Sequence, residues 1–98
     1  MPYRIQYSPN AENHLRGLTA RQRSIVLDTI DRQLAHQPTT ETRNRKPMRQ
    51  NPLAAWEVRI GEMRIYYRVQ EMERLVQVLA VGVKRRHRVY LGERVVEL

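Results

Sequence analysis

The chain has 98 residues, no cysteine, and 18 Lys and Arg against 10 Asp and Glu, for a formal net charge of +8. That length points to a single domain over residues 1–98, with room for one modest core. No run approaches the ~18 apolar residues of a membrane span. Without cysteine, neither a disulfide framework nor a thiolate metal site can form.

Sixteen of the eighteen cations are arginine. Arginine presents a planar fork that grips phosphate at two points and stacks on bases. Such a balance predicts a polyanion or an acidic protein as partner; the plainer reading is an arginine-rich composition without function. The opening Met1-Pro2-Tyr3-Arg4 passes straight into alternation rather than into an apolar run. No signal peptide and a cytoplasmic location are therefore the expectation.

Tyr3-Arg4-Ile5-Gln6-Tyr7 alternates and reads as a strand. Ser8-Pro9 reads as a helix start, Ser8 as N-cap and Pro9 in the first turn, and that helix ends near Gly17. Thr19 opens a second helix, with Gln22 at capping-box spacing. Its apolar stripe is Leu18, Ile25, Val26, Ile30 and Leu34, while Arg21, Arg23, Asp28, Asp31 and Arg32 occupy the solvated face. His14 and His36 fall on helix surfaces and lack ligand spacing.

Residues 37–53 read as a loop. Arg43, Arg45, Lys46 and Arg49 crowd it, either as a flexible solvated segment or as a basic arm beside a binding cleft.

The stretch Trp56 to Val69, WEVRIGEMRIYYRV, folds on itself if Gly61-Glu62 is a two-residue loop, with glycine in the first central position of a type II′ turn. Ile60 then faces Met63, Arg59 faces Arg64, Val58 faces Ile65 and Glu57 faces Tyr66. One face carries Trp56, Val58, Ile60, Met63, Ile65, Tyr67 and Val69, a core face. The other carries Glu57, Arg59, Arg64, Tyr66 and Arg68. Like charges directly opposite on a sheet are destabilising, and an anion bound between them reverses the sign. The competing reading is a merely solvated polar face.

Leu75 to Val83, LVQVLAVGV, suits a strand covered on both faces near the centre of a sheet. The basic run KRRHRVY, residues 84–90, follows. A short edge strand is expected over 94–98. Helices gathered ahead of an antiparallel meander predict an α+β fold. Two helices pack on one face of a small, mainly antiparallel sheet. The other face is open and carries the arginines.

These residues resemble the RelE/ParE toxin family of bacterial toxin–antitoxin systems, on its RelE-like side. The resemblance covers nearly the whole chain. It is carried by Lys46-Pro47-Met48, by Trp56-Glu57-Val58-Arg59-Ile60-Gly61-Glu62-Met63-Arg64-Ile65-Tyr66-Tyr67, by Val78-Leu79-Ala80-Val81-Gly82, and by the basic run closing on Tyr90. It implies a ribosome-dependent mRNA endonuclease in which a ribose 2′-OH attacks the adjacent phosphorus and translation stops. Matched position by position, Arg64 would hold the scissile phosphate. Lys84 and Arg86 would stabilise developing charge, and Tyr90 would stack on a base or assist proton transfer. Arg45, Lys46, Arg49, Arg59, Arg68, Arg85 and Arg88 are the accompanying RNA-binding cations.

Where well-known members carry two lysines on the first hairpin strand, this chain has Ala55 and Glu57. Glu57 and His87 are of the types that serve as base and acid in another branch, so the general base stays open. No cofactor and no metal are expected. The implied partners are a cognate antitoxin, the ribosome and mRNA, with no membrane. A homodimer and a hetero-oligomer with the antitoxin are both open. Two other readings stand beside the nuclease: a ParE-like toxin that inhibits gyrase by binding it, and a catalytically silent RelE-fold protein that binds nucleic acid or antitoxin.

Overall fold

The computed structural model describes residues 2–96. Strand β1, Arg4–Tyr7, leads into helix α1, Pro9–Arg16, and helix α2, Ala20–Thr29. The helix start expected at Ser8 is present: its Oγ accepts the Ala11 N–H at 3.0 Å, and Pro9 opens the first turn, where its missing donor costs nothing. The Thr19–Gln22 capping box closes in both directions, at 3.1 and 3.0 Å.

Arg23 departs from its expected solvated position. Its guanidinium donates to Leu15 O at 2.9 Å and Leu18 O at 3.0 Å, tying the connection between α1 and α2 to the second helix. Ile25 departs from the expected stripe and is 37% exposed. The buried positions are Val26, Ile30 and Leu34, spaced by four. A π-helical segment, Ile30–Leu34, continues α2, with Ala35 N–H reaching back to Ile30 O at 3.1 Å. That widened turn offsets the drift of a four-residue spacing on a 3.6-residue helix.

Six further strands follow: β2, Arg45–Pro47; β3, Trp56–Ile60; β4, Met63–Gln70; β5, Leu75–Arg85; β6, Arg88–Leu91; and β7, Arg94–Val96. They pair in the order β2-β3-β4-β5-β6-β7. The β3–β4 register is the one the turn predicts, Ile60 with Met63, Arg59 with Arg64, Val58 with Ile65 and Glu57 with Tyr66. Gly61 has φ +55°, as the first position of that turn requires. The expected tail strand is present as β7, while Glu97 and Leu98 lie outside the described residues.

Two strands were not expected. The segment read as a loop over 37–53 contains β2, and the basic run contains the end of β5 and most of β6.

Strand β5 is the spine. Strand β4 lies along one whole edge. The other edge is shared, with β1 parallel over Leu75–Val78 and β6 antiparallel over Val83–Arg85. Helix α1 fills the gap between them. Ser8 Oγ donates to Leu79 O at 3.0 Å, and His14 Nδ1 accepts from Val81 N–H at 3.2 Å. His14 is therefore not a bare surface residue; it completes the ladder of the central strand. A bulge at Tyr66/Tyr67 puts Val78 opposite Tyr67 and Ala80 opposite Tyr66, so Leu79 is an extra residue on β5.

The helices cover one face. Ala11, Val26, Ile30 and Leu34 pack on Val58, Met63, Ile65, Tyr67, Val76, Val78 and Val81. Trp56 stacks on Tyr67 at 6.3 Å between ring centroids, in line with its expected packing role. The second face is not open as expected. Met48, Leu53 and Ala54 from the loop after β2 lie over Tyr66 and Ala80, together with Leu91, Val89 and Val96. No helix among the described residues is long and apolar enough to cross a membrane.

Candidate functional site

The second face is where the paired arginines lie. Arg59 and Arg64 stand opposite each other but go separate ways. Arg59 Nε donates to Glu57 Oε1 at 2.7 Å, and this bond, reinforced by the opposite charge, raises the guanidinium above its ordinary pKa. Arg64 Nη1 donates to Gly61 O and Met63 O, each at 2.8 Å. A guanidinium has five N–H donors, so anchoring through Nη1 leaves Nε and Nη2 for a ligand. Arg64 is 9% exposed. A charge held this deep, with no carboxylate partner among the described residues, favours an anion more strongly than a surface cation does.

Around Arg64 is a cleft of about 280 Å³, lined by Glu57, Tyr66, Lys84, His87, Val89 and Val96. Lys84 reaches this face because it pairs with Val89 across β5–β6. Its backbone N–H also donates to Glu62 O at 2.7 Å, which ties the strand to the β3–β4 turn. Tyr66 is fully buried, and among the described residues its hydroxyl meets no partner with good hydrogen-bond geometry, with the Glu57 carboxylate nearby. Burial first, and then the nearby Glu57 carboxylate, push its phenol well above the ordinary value.

The four expected catalytic residues do not form one group. Arg64 and Lys84 share the cleft. Tyr90 pairs with Val83, a core residue, and so lies on the helix face. Arg86 occupies the β5–β6 turn with φ +60°, a left-handed conformation in a residue with a Cβ.

Among the expected RNA-binding cations, Lys46 pairs with Glu57, and Lys46, Arg49 and Glu57 line a hollow that continues the cleft. Arg68 lies further along the same face with Arg49 and Leu53, its Nε donating to Gln77 Oε1 at 2.7 Å. Arg85 and Arg88 pair with each other at the start of the turn, on the side of Val83 and Tyr90. Arg45 is 4% exposed and bonds Gln37 O at 2.7 Å, Thr40 O at 3.1 Å and Gln33 Oε1 at 2.8 Å. Its guanidinium is a strut for the loop before β2, and no face of it is available to RNA in this arrangement.

His14 and the apolar walls Val89 and Val96 escaped the sequence reading. The walls become legible only once β6 is known to be a strand that pairs Val89 with Val96 of β7. His14 carries no local signal, because its partner is a backbone amide 67 residues away.

Comparison with known proteins places the chain in a family. A family model described as the ParE toxin of the type II toxin–antitoxin system, parDE, matches residues 5–88. A search of curated proteins finds no match. Among solved structures, the chain is similar to the toxin–antitoxin complex RelBE2 from Mycobacterium tuberculosis, with TM-score 0.76 and 25% identity over 86% of this chain and 93% of that one. It is similar to the archaeal RelE–RelB complex from Pyrococcus horikoshii, with TM-score 0.71 and 18% identity over 88% and 99%. The isolated E. coli RelE toxin superposes with TM-score 0.62 and 19% identity over 86% of each chain. With the family model spanning most of its length and the two-helix, antiparallel-sheet fold shared, the chain belongs to the RelE/ParE family and is a toxin of a type II toxin–antitoxin system.

Proposed function

We propose that this toxin is a ribosome-dependent mRNA endonuclease whose scissile phosphate lies in the Arg64 cleft. The observation that carries the reading is the meeting of Arg64, Lys84, Glu57 and His87 around one opening on the sheet face opposite the helices. Cleavage by 2′-OH attack needs a group to take the hydroxyl proton, cations for the charge that builds on the phosphorane oxygens, and an acid for the departing 5′-oxygen. Arg64 and Lys84 supply the cations. Glu57, at a position where other members carry a lysine, and His87 in the β5–β6 turn are the carboxylate and imidazole available for the proton transfers. Arg64 is preset for its task, since its own turn fixes Nη1 before any substrate arrives. The 2′-OH requirement restricts the substrate to RNA.

A cognate antitoxin is the second proposed partner, supported by the RelB-bound neighbours from Mycobacterium tuberculosis and Pyrococcus horikoshii. The net charge of +8 favours an acidic binding segment. Primer extension on an mRNA translated by purified ribosomes tests the nuclease reading: cuts in phase with the codons support it, and intact message defeats it.

The match to the ParE model favours one further reading, a gyrase inhibitor that acts by binding. Intact message together with blocked supercoiling would select it.

A further inference from the structure

Glu57 and Tyr66 stand opposite each other across β3–β4, and both line the Arg64 cleft. Side chains paired in this way have Cβ atoms about 4.5–5.5 Å apart, so a change of side-chain torsion brings carboxylate and phenol together. In the free protein each is short of a partner. The Glu57 side chain is 14% exposed, and the one well-aligned hydrogen bond it accepts among the described residues comes from Arg59, at Oε1. The Tyr66 hydroxyl is buried beside it with no well-aligned partner. Leaving a buried hydroxyl unpaired is costly, and a phenylalanine ring would fill the same space without that cost. The hydroxyl therefore points to a task at the cleft.

Arg59 makes Glu57 a weak base. A guanidinium beside a carboxylate favours the ionised form and lowers its affinity for a proton, whereas the base in a 2′-OH attack has to accept one. The Arg59 side chain is 56% exposed, so it is free to turn, and it lies directly opposite Arg64. A phosphate seated on Arg64 presents its charge to Arg59 as well and competes with Glu57 for the guanidinium. Once released, a carboxylate held this deep needs another donor. Lys46 opposes Glu57 from β2, yet no ion pair joins the two among the described residues. The Tyr66 phenol is neutral. It can hold the carboxylate by a hydrogen bond and costs it less basicity than a cation does.

We propose that Tyr66 is a positioning residue: when a phosphate draws Arg59 away, the Tyr66 hydroxyl donates to Glu57 and aims the carboxylate at the 2′-OH. The 2′-OH proton then passes to Glu57 while the oxygen forms its bond to phosphorus. The 5′-oxygen leaves with the electron pair of the broken P–O bond and takes a proton from the acid. Tyr66 keeps its own proton throughout. Burial, and then the Glu57 carboxylate, hold the phenol above its ordinary pKa, in keeping with a donor that does not ionise. The aiming step rests on the nuclease reading; the exchange of partners on anion binding does not.

Two measurements test this. The first uses the purified toxin without ribosomes, carbon-13 at the glutamate carboxyls, and inorganic phosphate as probe, with the Glu57 signal assigned by its loss in Glu57→Gln. Phosphate is expected to move that signal at least twofold further in the wild type than in Tyr66→Phe. An equal response in both, or a Glu57 signal that phosphate leaves unmoved, overturns the proposal. The second is single-turnover cleavage of ribosome-bound message. Tyr66→Phe is expected to cut at least fivefold more slowly at saturation, with the half-saturating ribosome concentration changed less than twofold and the circular dichroism spectrum retained. The double variant with Glu57→Gln is expected to be no slower than Glu57→Gln alone, because the hydroxyl acts only through the carboxylate. Losses that multiply, or a wild-type rate in Tyr66→Phe, overturn the assignment. A wild type that leaves the message intact while its Glu57 signal still responds through Tyr66 counts against the nuclease reading alone, so the two fail separately.

Discussion

Arg59 and Arg64 oppose each other across the β3–β4 hairpin, yet the carboxylate of Glu57 claims one guanidinium while backbone carbonyls of the turn hold the other. The pair is thus split into a neutralised member and an unneutralised one. The repulsion expected of like cross-strand charges is relieved without a ligand, and one cation is kept in reserve.

Arg64→Ala is expected to lower mRNA cleavage by at least tenfold. One preorganised charge-stabilising donor is worth about 2.7–4 kcal/mol in a barrier, while the two carbonyls released at the turn can turn to water. The urea midpoint should fall by no more than about 1 kcal/mol equivalent. A folded variant that cuts at the wild-type rate removes Arg64 from the reaction.

Tyr66→Phe is expected to stabilise the fold by about 1 kcal/mol, because it deletes a buried hydroxyl that meets no well-aligned partner among the described residues and lies near the Glu57 carboxylate. Urea denaturation of the two proteins decides it, and a midpoint shift to lower urea would show that the hydroxyl is bonded in solution.

Arg86→Gly is expected to raise stability by roughly 0.5–1 kcal/mol. The left-handed turn position penalises a Cβ by about 1–2 kcal/mol, and the added freedom of glycine in the unfolded chain returns part of that. The comparison is internal, since Gly61 and Gly92 occupy the corresponding first positions of the neighbouring hairpin turns at φ +55° and +64°. Thermal melts that fall instead would mean that the Arg86 side chain contributes contacts exceeding the strain.

Burial, followed by the charge of Arg94, holds the His14 imidazole below its ordinary pKa. On unfolding, the group returns to about 6.5 and takes up a proton more readily. The unfolded state then binds more protons, so stability falls as pH drops below about 6.5. Protonation would also remove the acceptor for Val81 N–H. The urea midpoint of the wild type should therefore decline between about pH 7 and pH 5 more steeply than that of His14→Gln; parallel profiles would exclude His14 as the source.

What could be read in advance was local. The Gly61-Glu62 turn and the alternation around it determined a register that places Arg59 against Arg64, and Ser8-Pro9 and Thr19-Gln22 announced both helices. What could not be read depends on pairing. Arg45–Pro47 is short, basic and ends in proline, and it becomes a strand only because β3 lies beside it. Arg88–Leu91 is hidden within a charge run. Tyr90 could not be assigned to a face until the β5–β6 turn was located at Arg86-His87, since moving the turn by one residue moves every side chain beyond it to the opposite side. The burial of Arg45 is equally invisible, because the carbonyls that hold it come from a loop with no periodicity.

The shared edge of β5 has a consequence for the order in which the toxin is made. Strand β1 is translated first, but its parallel partner, Leu75–Val78, is among the later segments to leave the ribosome. The amino-terminal strand must therefore wait, its backbone unpaired on that side, until most of the chain has emerged. Both walls of the Arg64 cleft need β4 and β5 together, so the cleft is assembled only after both strands have left the exit tunnel. There is thus an interval in which the polypeptide exists and this cleft does not.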